Sequence, residues 1–419
     1  MSKNKIIIIS DVHIGSNVRT NWYQDSVHRP YLECALKYIR DNSEDVQELI
    51  LLGDLVDQWM YVPDMEPPSL EKIKAQNPYI FGGMIKDGTV VTGALVETVN
   101  ALGDDQTVYL NGNHDMMISS EEINSISPKI KATGMVYEPP SGKGQVVCTH
   151  GHIYSIFCAP DVLEYPSGLE GLPLGHFVSR LASRWCLQKL EKDYQPNETA
   201  ANMPDTGNPN GAIFDAEEGL ALIEDILKWI AKKGDLSLSK IVMDGLLKAT
   251  GNADKDFILS NSSRIDAADI PKIYSNVYTD YPKSTGLDEV LFGMLAAEFA
   301  LGETDAFGSL SHFAAELAET YRVVALGHTH VPVDKDDHFI TYGDALYVNS
   351  GFVCPSIPDI MKKDGKMPSF TEIEIDEENR KFMVSVKKVV TKDNKIYQVE
   401  NDKDPKEISF KSDALSAGE

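Results

Sequence analysis

Five segments of the chain share one pattern, a short run of aliphatic or β-branched residues that stops at a cluster of Asp, Asn, His and Gly. They read IIIISDVH (6–13), ELILLGDLVD (48–57), TVYLNGNHD (107–115), QVVCTHGH (145–152) and RVVALGHTH (322–330). Apolar runs of this length bounded by turn-forming residues predict buried strands, each with its polar cluster at the carboxyl end. Between the early runs, YLECALKYIRDN (31–42) and TVVTGALVETVNAL (89–102) carry helical patterns. The alternation predicts α/β layering, in which ligands gather at the carboxyl ends of the strands.

The pattern changes between residues 153 and 320. LALIEDILKWIAKK (220–233), DEVLFGMLAAEFAL (288–301) and SHFAAELAETY (311–321) predict a mainly helical insertion, broken by polar loops such as NMPDTGNPNG (202–211). It separates a first core segment, 1–152, from a second, 321–401. After His330 the runs HFITY, ALYVNSG, SFTEIEI and KFMVSVKKVV are β-like and are expected to extend a second sheet, with DEENR as the hairpin turn between the last two. Residues 402–419 read as a loose polar tail.

Composition narrows the class. An apolar content of 42% with 25% charged residues over 419 positions is that of a globular chain, long enough for one large core or two ordinary ones. The formal charge of −25 opposes broad binding to nucleic acid or an anionic membrane, so a phosphate-bearing substrate needs a local positive centre. Five scattered cysteines (Cys34, Cys148, Cys158, Cys186, Cys354) without CxxC spacing indicate neither a disulfide framework nor a zinc knuckle, and fit a reducing compartment. The apolar run at the amino terminus is too short for a secretory leader, and nothing approaches the roughly 20 apolar residues of a membrane span. The expected location is the cytoplasm, and oligomeric state is not legible.

Histidine gives the strand ends their chemistry. Turn formation accounts for Asp, Asn and Gly, but six of the ten histidines (His13, His114, His150, His152, His328, His330) fall in four of these five clusters. Turns do not need imidazole, whereas metals do. Asp11, His13, Asp54, Asn113, His150, His328 and His330 offer oxygen and imidazole nitrogen without thiolate, a set suited to Mn, Fe, Zn or Co rather than calcium. Two divalent ions against two carboxylates leave a net charge of about +2, a phosphate trap within an acidic chain. Ions roughly 3.5–4 Å apart need a bridging carboxylate. Asp54 is the best candidate, because Gly53 lets the backbone turn close to the ions.

The order D-x-H, G-D-x-x-D, G-N-H-D, H-G-H and G-H-x-H resembles the calcineurin-like metallophosphoesterase superfamily, over about 1–152 and 322–350. The resemblance implies a four-layer α-β-β-α sandwich of two mixed sheets, here with a large helical insertion as a cap. It implies one metal held by Asp11, His13, Asp54 and His330, and a second by Asp54, Asn113, His150 and His328. It further implies that His114 approaches the phosphoryl group or leaving group, oriented by Asp57, while a metal-bridging hydroxide attacks phosphorus. A histidine held by a carboxylate keeps a defined tautomer, which makes that dyad chemically sensible.

Other residues carry two readings each. His152 lines the substrate pocket or faces solvent, and Asp115 fixes the G-N-H-D turn through backbone amides. His28, His176, His312 and His338 read as packed or exposed histidines rather than ligands, and Cys148, which shares strand parity with His150, as a residue pointing toward the site or, preferably, a small buried one. Arg180, Arg184, Lys189 and Lys192 in HFVSRLASRWCLQKLEK (176–192) form a positive island that meets substrate phosphate or makes a solvated helix face. LALIEDILKWI is buried between helices or borders an apolar, lipid-facing groove. Asn349, Ser350 and Gly351 resemble the loop that supports the metal shell.

The expected activity is hydrolysis of a phosphate ester or anhydride on a small molecule or lipid. Gln58 and Trp59 stand where phosphoprotein phosphatases carry an arginine, which argues against that branch. The stretch GDLVDQW looks instead like the UDP-diacylglucosamine pyrophosphatases, over one motif only. A nuclease is disfavoured by charge, and a silent interaction scaffold by the complete set of ligand positions.

Overall fold

A computed structural model of the chain describes residues 3–18, 20–155, 158–159, 172–190, 247–248, 250–252, 255–260, 263–270, 309–330, 338–349, 351–352, 367–392 and 396–411. The first half runs β1 (Lys5–Ile9), α1 (Asp25–Asp41), β2 (Val46–Leu52), α2 (Leu70–Gln76), α3 (Pro78–Phe81), β3 (Gly83–Met84), β4 (Val90–Val91), α4 (Ala94–Leu102), β5 (Thr107–Leu110), α5 (Ser120–Asn124), β6 (Ile130–Ala132), β7 (Val136–Tyr137) and β8 (Val146–Thr149). There follow α6 (Leu174–Leu190), β9 (Asp256–Ser260), β10 (Ser263–Asp266), α7 (Ser309–Thr320), β11 (Val323–Leu326), β12 (Phe339–Tyr342), β13 (Ala345–Asn349), β14 (Ser369–Asp376), β15 (Lys381–Lys392), β16 (Ile396–Asn401) and β17 (Lys406–Ser409).

All five apolar runs form strands, and they divide between two mixed sheets. One sheet has the order β16-β15-β14-β1-β2-β5-β6, with β17 also on β15; the other has the order β12-β13-β11-β8-β7. The segment β1-β2-β5-β6 is parallel, and β11 lies parallel to both β8 and β13. Successive strand side chains point to opposite faces, and the isoleucines of β1 display this. Ile6 and Ile8 join Ile50, Leu52, Val108 and Leu110 in a cluster shared with Val146, Cys148, Val323 and Ala325 of the second sheet. Ile7 and Ile9 belong to another cluster, with Leu36 and Ile39 of α1 and Val99 of α4. Across the second sheet, Val324 and Leu326 pack with Leu310 and Ala314 of α7.

Several expectations are corrected here. Of the four runs after His330, only the first two enlarge the second sheet; β14 instead enters antiparallel beside β1, and β15 follows it. Alternation in these runs specifies a half-buried strand but not which sheet edge receives it. Residues 406–409, assigned to a loose tail, pair with β15 and bury Ile408, with Phe410 beyond them against Phe382. The helix expected over 89–102 begins at Ala94, after β4 and the positive-φ Gly93. The 153–320 segment contains helices α6 and α7 and also a hairpin, β9-β10. Its runs at 202–211, 220–233 and 288–301 lie outside the described residues, so the reading of LALIEDILKWI does too. Among the described residues, no helix is long and apolar enough to cross a membrane.

Candidate metal centre

The loops beyond β1 and β2 stay zipped together after the strands end. Asp11 N donates to Gly53 O (3.1 Å), His13 N to Asp54 O (2.8 Å), and Asp57 N to Ile14 O (3.0 Å). This brings the D-x-H and G-D-x-x-D motifs side by side. The G-N-H-D loop joins them through His114 N, which donates to Asp54 Oδ1 (2.7 Å). It sits that close because residue 112 is glycine, since a Cβ there would fall 2.2 Å from Asp54 Oδ1. Asp115 holds the turn as expected, accepting from Gly112 N and Leu55 N as well as from the Tyr109 hydroxyl. From the second sheet, His328 N reaches Asp11 Oδ1 (2.9 Å), and Asn349 Nδ2 braces the Gly327 carbonyl (2.9 Å).

Left-handed backbone is concentrated at this junction. Asp11, His13, Asp54, His328 and His330 have φ of 59°, 57°, 52°, 72° and 57°, five of the nine such non-glycine residues among the described ones. Each costs on the order of 1–3 kcal/mol, and persists where surrounding structure over-determines it.

Among the described residues the side chains form three close groups, of which His13, Asp57 and His114 make one and the other two share Asp54. Ligand atoms of Asp11, His13, Asp54 and His330 lie within 4.8 Å of one another, as do those of Asp54, His150 and His328. Asp54 Oδ2 is 3.7 Å from His13 Nε2 and 3.2 Å from His150 Nε2, so one carboxylate faces both groups. His13 Nε2 and His330 Nε2 approach to 2.8 Å. His150 Nδ1 meets the Leu52 carbonyl at 2.8 Å, which turns Nε2 toward Asp54 and toward Asn113 Oδ1 at 3.2 Å. All these residues are buried.

Electrostatics agree with a cation-binding role. Burial opposes ionisation of Asp54, yet the imidazoles of His150 and His114 hold its carboxyl well below the usual range. Burial and then the neighbouring Asp54 raise Asp11, with His150 pulling the other way. Two adjacent buried carboxylates need positive charge between them. His328 and His330 are pushed well below their ordinary value by burial, with neighbouring imidazoles adding to it, so both rings are held neutral. His150 is raised to about 9 despite burial, chiefly by Asp54, and must release a proton to bind a cation. The donor set therefore fits a divalent transition metal.

Beside these groups, His114 Nδ1 lies 3.1 Å from Asp57 Oδ1. That oxygen also accepts from the backbone amides of Trp59 and Met60, which fixes the carboxylate. Burial opposes protonation of His114, but Asp57 and Asp54 outweigh it and raise the imidazole. The ring lies between two indoles, stacked on Trp59 (4.7 Å, 29°) and tilted against Trp22 (5.1 Å, 41°). Trp22 also packs on His13 and His330. Sequence reasoning missed Trp22 altogether, because it stands in a loop without periodicity.

A family model described as calcineurin-like phosphoesterase matches residues 4–200. This match over the first part of the chain supports the calcineurin-like metallophosphoesterase superfamily. No curated protein matches it. The family and the buried His/Asp groups fit a metal-dependent phosphoesterase. The matched region spans β1 through α6, while His328 and His330 come from beyond it and are brought in by the second sheet.

The remaining phosphoesterase candidates sort differently. His152 is fully buried beside His150, ring centroids 5.3 Å apart, rather than facing solvent; burial and His150 lower it to about 3. Arg180 and Arg184 are also buried, so neither forms a solvated helix face. Arg180 donates to the carbonyls of Tyr61, Val62, Pro63, Met65 and Ile258, and Arg184 pairs with Asp64. The sequence leaves a phosphate contact and a solvated face open for both, and neither is what the fold makes of them, because spacing shows charge but not what faces it. The side chain of Lys189, and Lys192 altogether, lie outside the described residues. Cys148 is buried in the cluster between the sheets, as expected.

Proposed function

We propose that this chain hydrolyses a phosphate ester or anhydride at a dinuclear centre of Mn, Fe or Zn, within a four-layer α-β-β-α sandwich capped by the 153–320 insertion, in the cytoplasm. The observation that carries the reading is the position of Asp54, common to both ligand groups with Oδ2 between His13 and His150. In it, Asp11, His13, Asp54 and His330 hold one ion, and Asp54, Asn113, His150 and His328 hold the other. Such ions supply Lewis acidity toward a phosphoryl oxygen and lower the pKa of water at neutral pH.

The protein's own groups do the rest. His114, held by Asp57 and flanked by Trp22 and Trp59, keeps Nε2 directed away from the carboxylate and carries a proton toward the leaving oxygen. Its raised proton affinity suits donation at neutral pH. His152 faces the substrate beside the second ligand group. Burial of the centre excludes bulk water, which strengthens every charge interaction in it.

The test is a panel of phosphomonoester, phosphodiester, nucleotide-sugar pyrophosphate and lipid phosphate, assayed with Mn-, Fe- and Zn-loaded protein. Asn113→Ala is expected to lose one equivalent of metal. His114→Ala should keep both ions and lose about 10²–10⁴-fold in rate. A His114→Ala protein with an empty metal site overturns the role assignment, and a fully loaded protein inactive on the whole panel overturns the enzyme reading.

A further inference from the structure

His176, near the start of α6, was read from sequence as a packed or exposed histidine. It is buried, yet among the described residues neither ring nitrogen has a hydrogen-bond partner. A buried imidazole without partners is unfavourable, and such groups in native proteins call for an explanation. Its surroundings supply one. The ring meets Trp59 edge-on, with centroids 5.5 Å apart and planes at 86°, and Trp59 stacks on His114. His114 and Asp57 lie close enough to act on the charge of His176.

The position of His176 is also built rather than incidental. Residues 176 and 180 are one turn apart on the same side of α6. Arg180 fastens that side to the carbonyls of residues 61, 62, 63 and 65, the chain that directly follows Trp59. A guanidinium bound to five carbonyls allows little sliding, so the imidazole is held against the indole beside the leaving-group histidine.

We propose that His176 is a substrate-contacting residue, which hydrogen-bonds a hydroxyl on the leaving group of a phosphoester bound at the metal centre. The inference rests on the phosphoesterase reading above and extends it to substrate class, the phosphoesters of polyols. Burial and the nearby Arg180 keep the imidazole neutral, so it offers one donor and one acceptor, the complement of a hydroxyl group. The same cation disfavours a positively charged leaving group. An alkyl leaving group would leave both nitrogens unpaired and is discriminated against.

Binding can be measured without turnover by using phosphonates. Calorimetric titration of the metal-loaded protein compares 3,4-dihydroxybutylphosphonate, which mimics glycerol 3-phosphate, with butylphosphonate, which lacks the hydroxyls. The wild-type protein is expected to prefer the dihydroxy compound at least tenfold, His176→Phe to reduce that preference below threefold, and His176→Gln, which keeps a donor and an acceptor, to restore part of it. Metal content should not change. Equal affinity for both phosphonates in the wild-type protein, or an intact preference in His176→Phe, overturns the assignment of His176 alone. Failure of both compounds to bind the loaded wild-type protein overturns the phosphoesterase reading and this proposal with it. If His176→Phe does not fold, the wild-type preference and His176→Gln decide.

Discussion

Replacing Arg180 with methionine separates an arginine that holds the protein together from one that grips a substrate. The side chain is fully buried, and its nitrogens donate to five backbone carbonyls, the longest bond being 3.3 Å. Burial pushes the guanidinium down to about 9, while the carbonyl dipoles favour the charged form, so the group is cationic at neutral pH. Methionine keeps most of the apolar stem but leaves the carbonyls of Tyr61, Val62, Pro63, Met65 and Ile258 without this donor. Val62 O still accepts from Met65 N and Pro63 O from Ile258 N, so at about 1 kcal/mol or more for each of the other three acceptors the loss is roughly 3 kcal/mol. Relief of the desolvated charge offsets part of it, which leaves about 2 kcal/mol. Equilibrium urea unfolding at neutral pH should show this loss, with Arg180→Lys recovering less than half, because a point charge cannot reach five acceptors spread over two segments. Wild-type stability in Arg180→Met combined with a raised KM for phosphoesters would refute the reasoning, since that is the signature of a phosphate-gripping arginine.

Gly112→Ala puts a methyl group 2.2 Å from Asp54 Oδ1 and 2.7 Å from the Asp54 backbone nitrogen. It should cost about 1–3 kcal/mol in unfolding free energy and reduce metal content by mass spectrometry; full stoichiometry with unchanged stability counts against Asp54 as the shared ligand. Acid should weaken the protein partly through His152, whose folded value lies near 3 against 6.5 for an unperturbed imidazole. The unfolded chain then binds the extra proton, so this contribution to stability is intact above 6.5 and is lost as pH falls toward 3. Between pH 7 and 5 it amounts to about 2 kcal/mol. His152→Phe should flatten the stability profile by that amount, and parallel profiles for the two proteins would show that the ring is not held neutral.

The legible part of this fold was local. Apolar runs ending at Asp, Asn, His and Gly mark β1, β2, β5, β8 and β11 at the intended places, because burial period and turn chemistry act over a few neighbouring residues. The donor set was legible for a similar reason, since imidazole accumulating at strand ends has a chemical cause that turn formation lacks. Asp115 bonding the Gly112 amide is a contact across three residues, and it too followed from the sequence.

Contacts across long stretches of chain were decided only by the tertiary structure. Alternation in SFTEIEI permits a strand in either sheet, and pairing of β14 with β1 chose between them. The buried phenylalanine at 410 and the isoleucine at 408 made a strand of a polar tail once β15 offered a free edge. Charge spacing on α6 allows a phosphate-binding or a solvated face, but five carbonyls from two distant segments took up Arg180 instead. His328 N meets Asp11 Oδ1 across 317 positions, and Trp22, Trp59 and His176 gather around His114 through packing that no periodicity encodes. The sequence by itself determined which groups could perform the chemistry and at which strand ends they stand. The packing of two sheets, through side chains far apart in the chain, decided which of them meet, because a through-space contact has no local pattern to announce it.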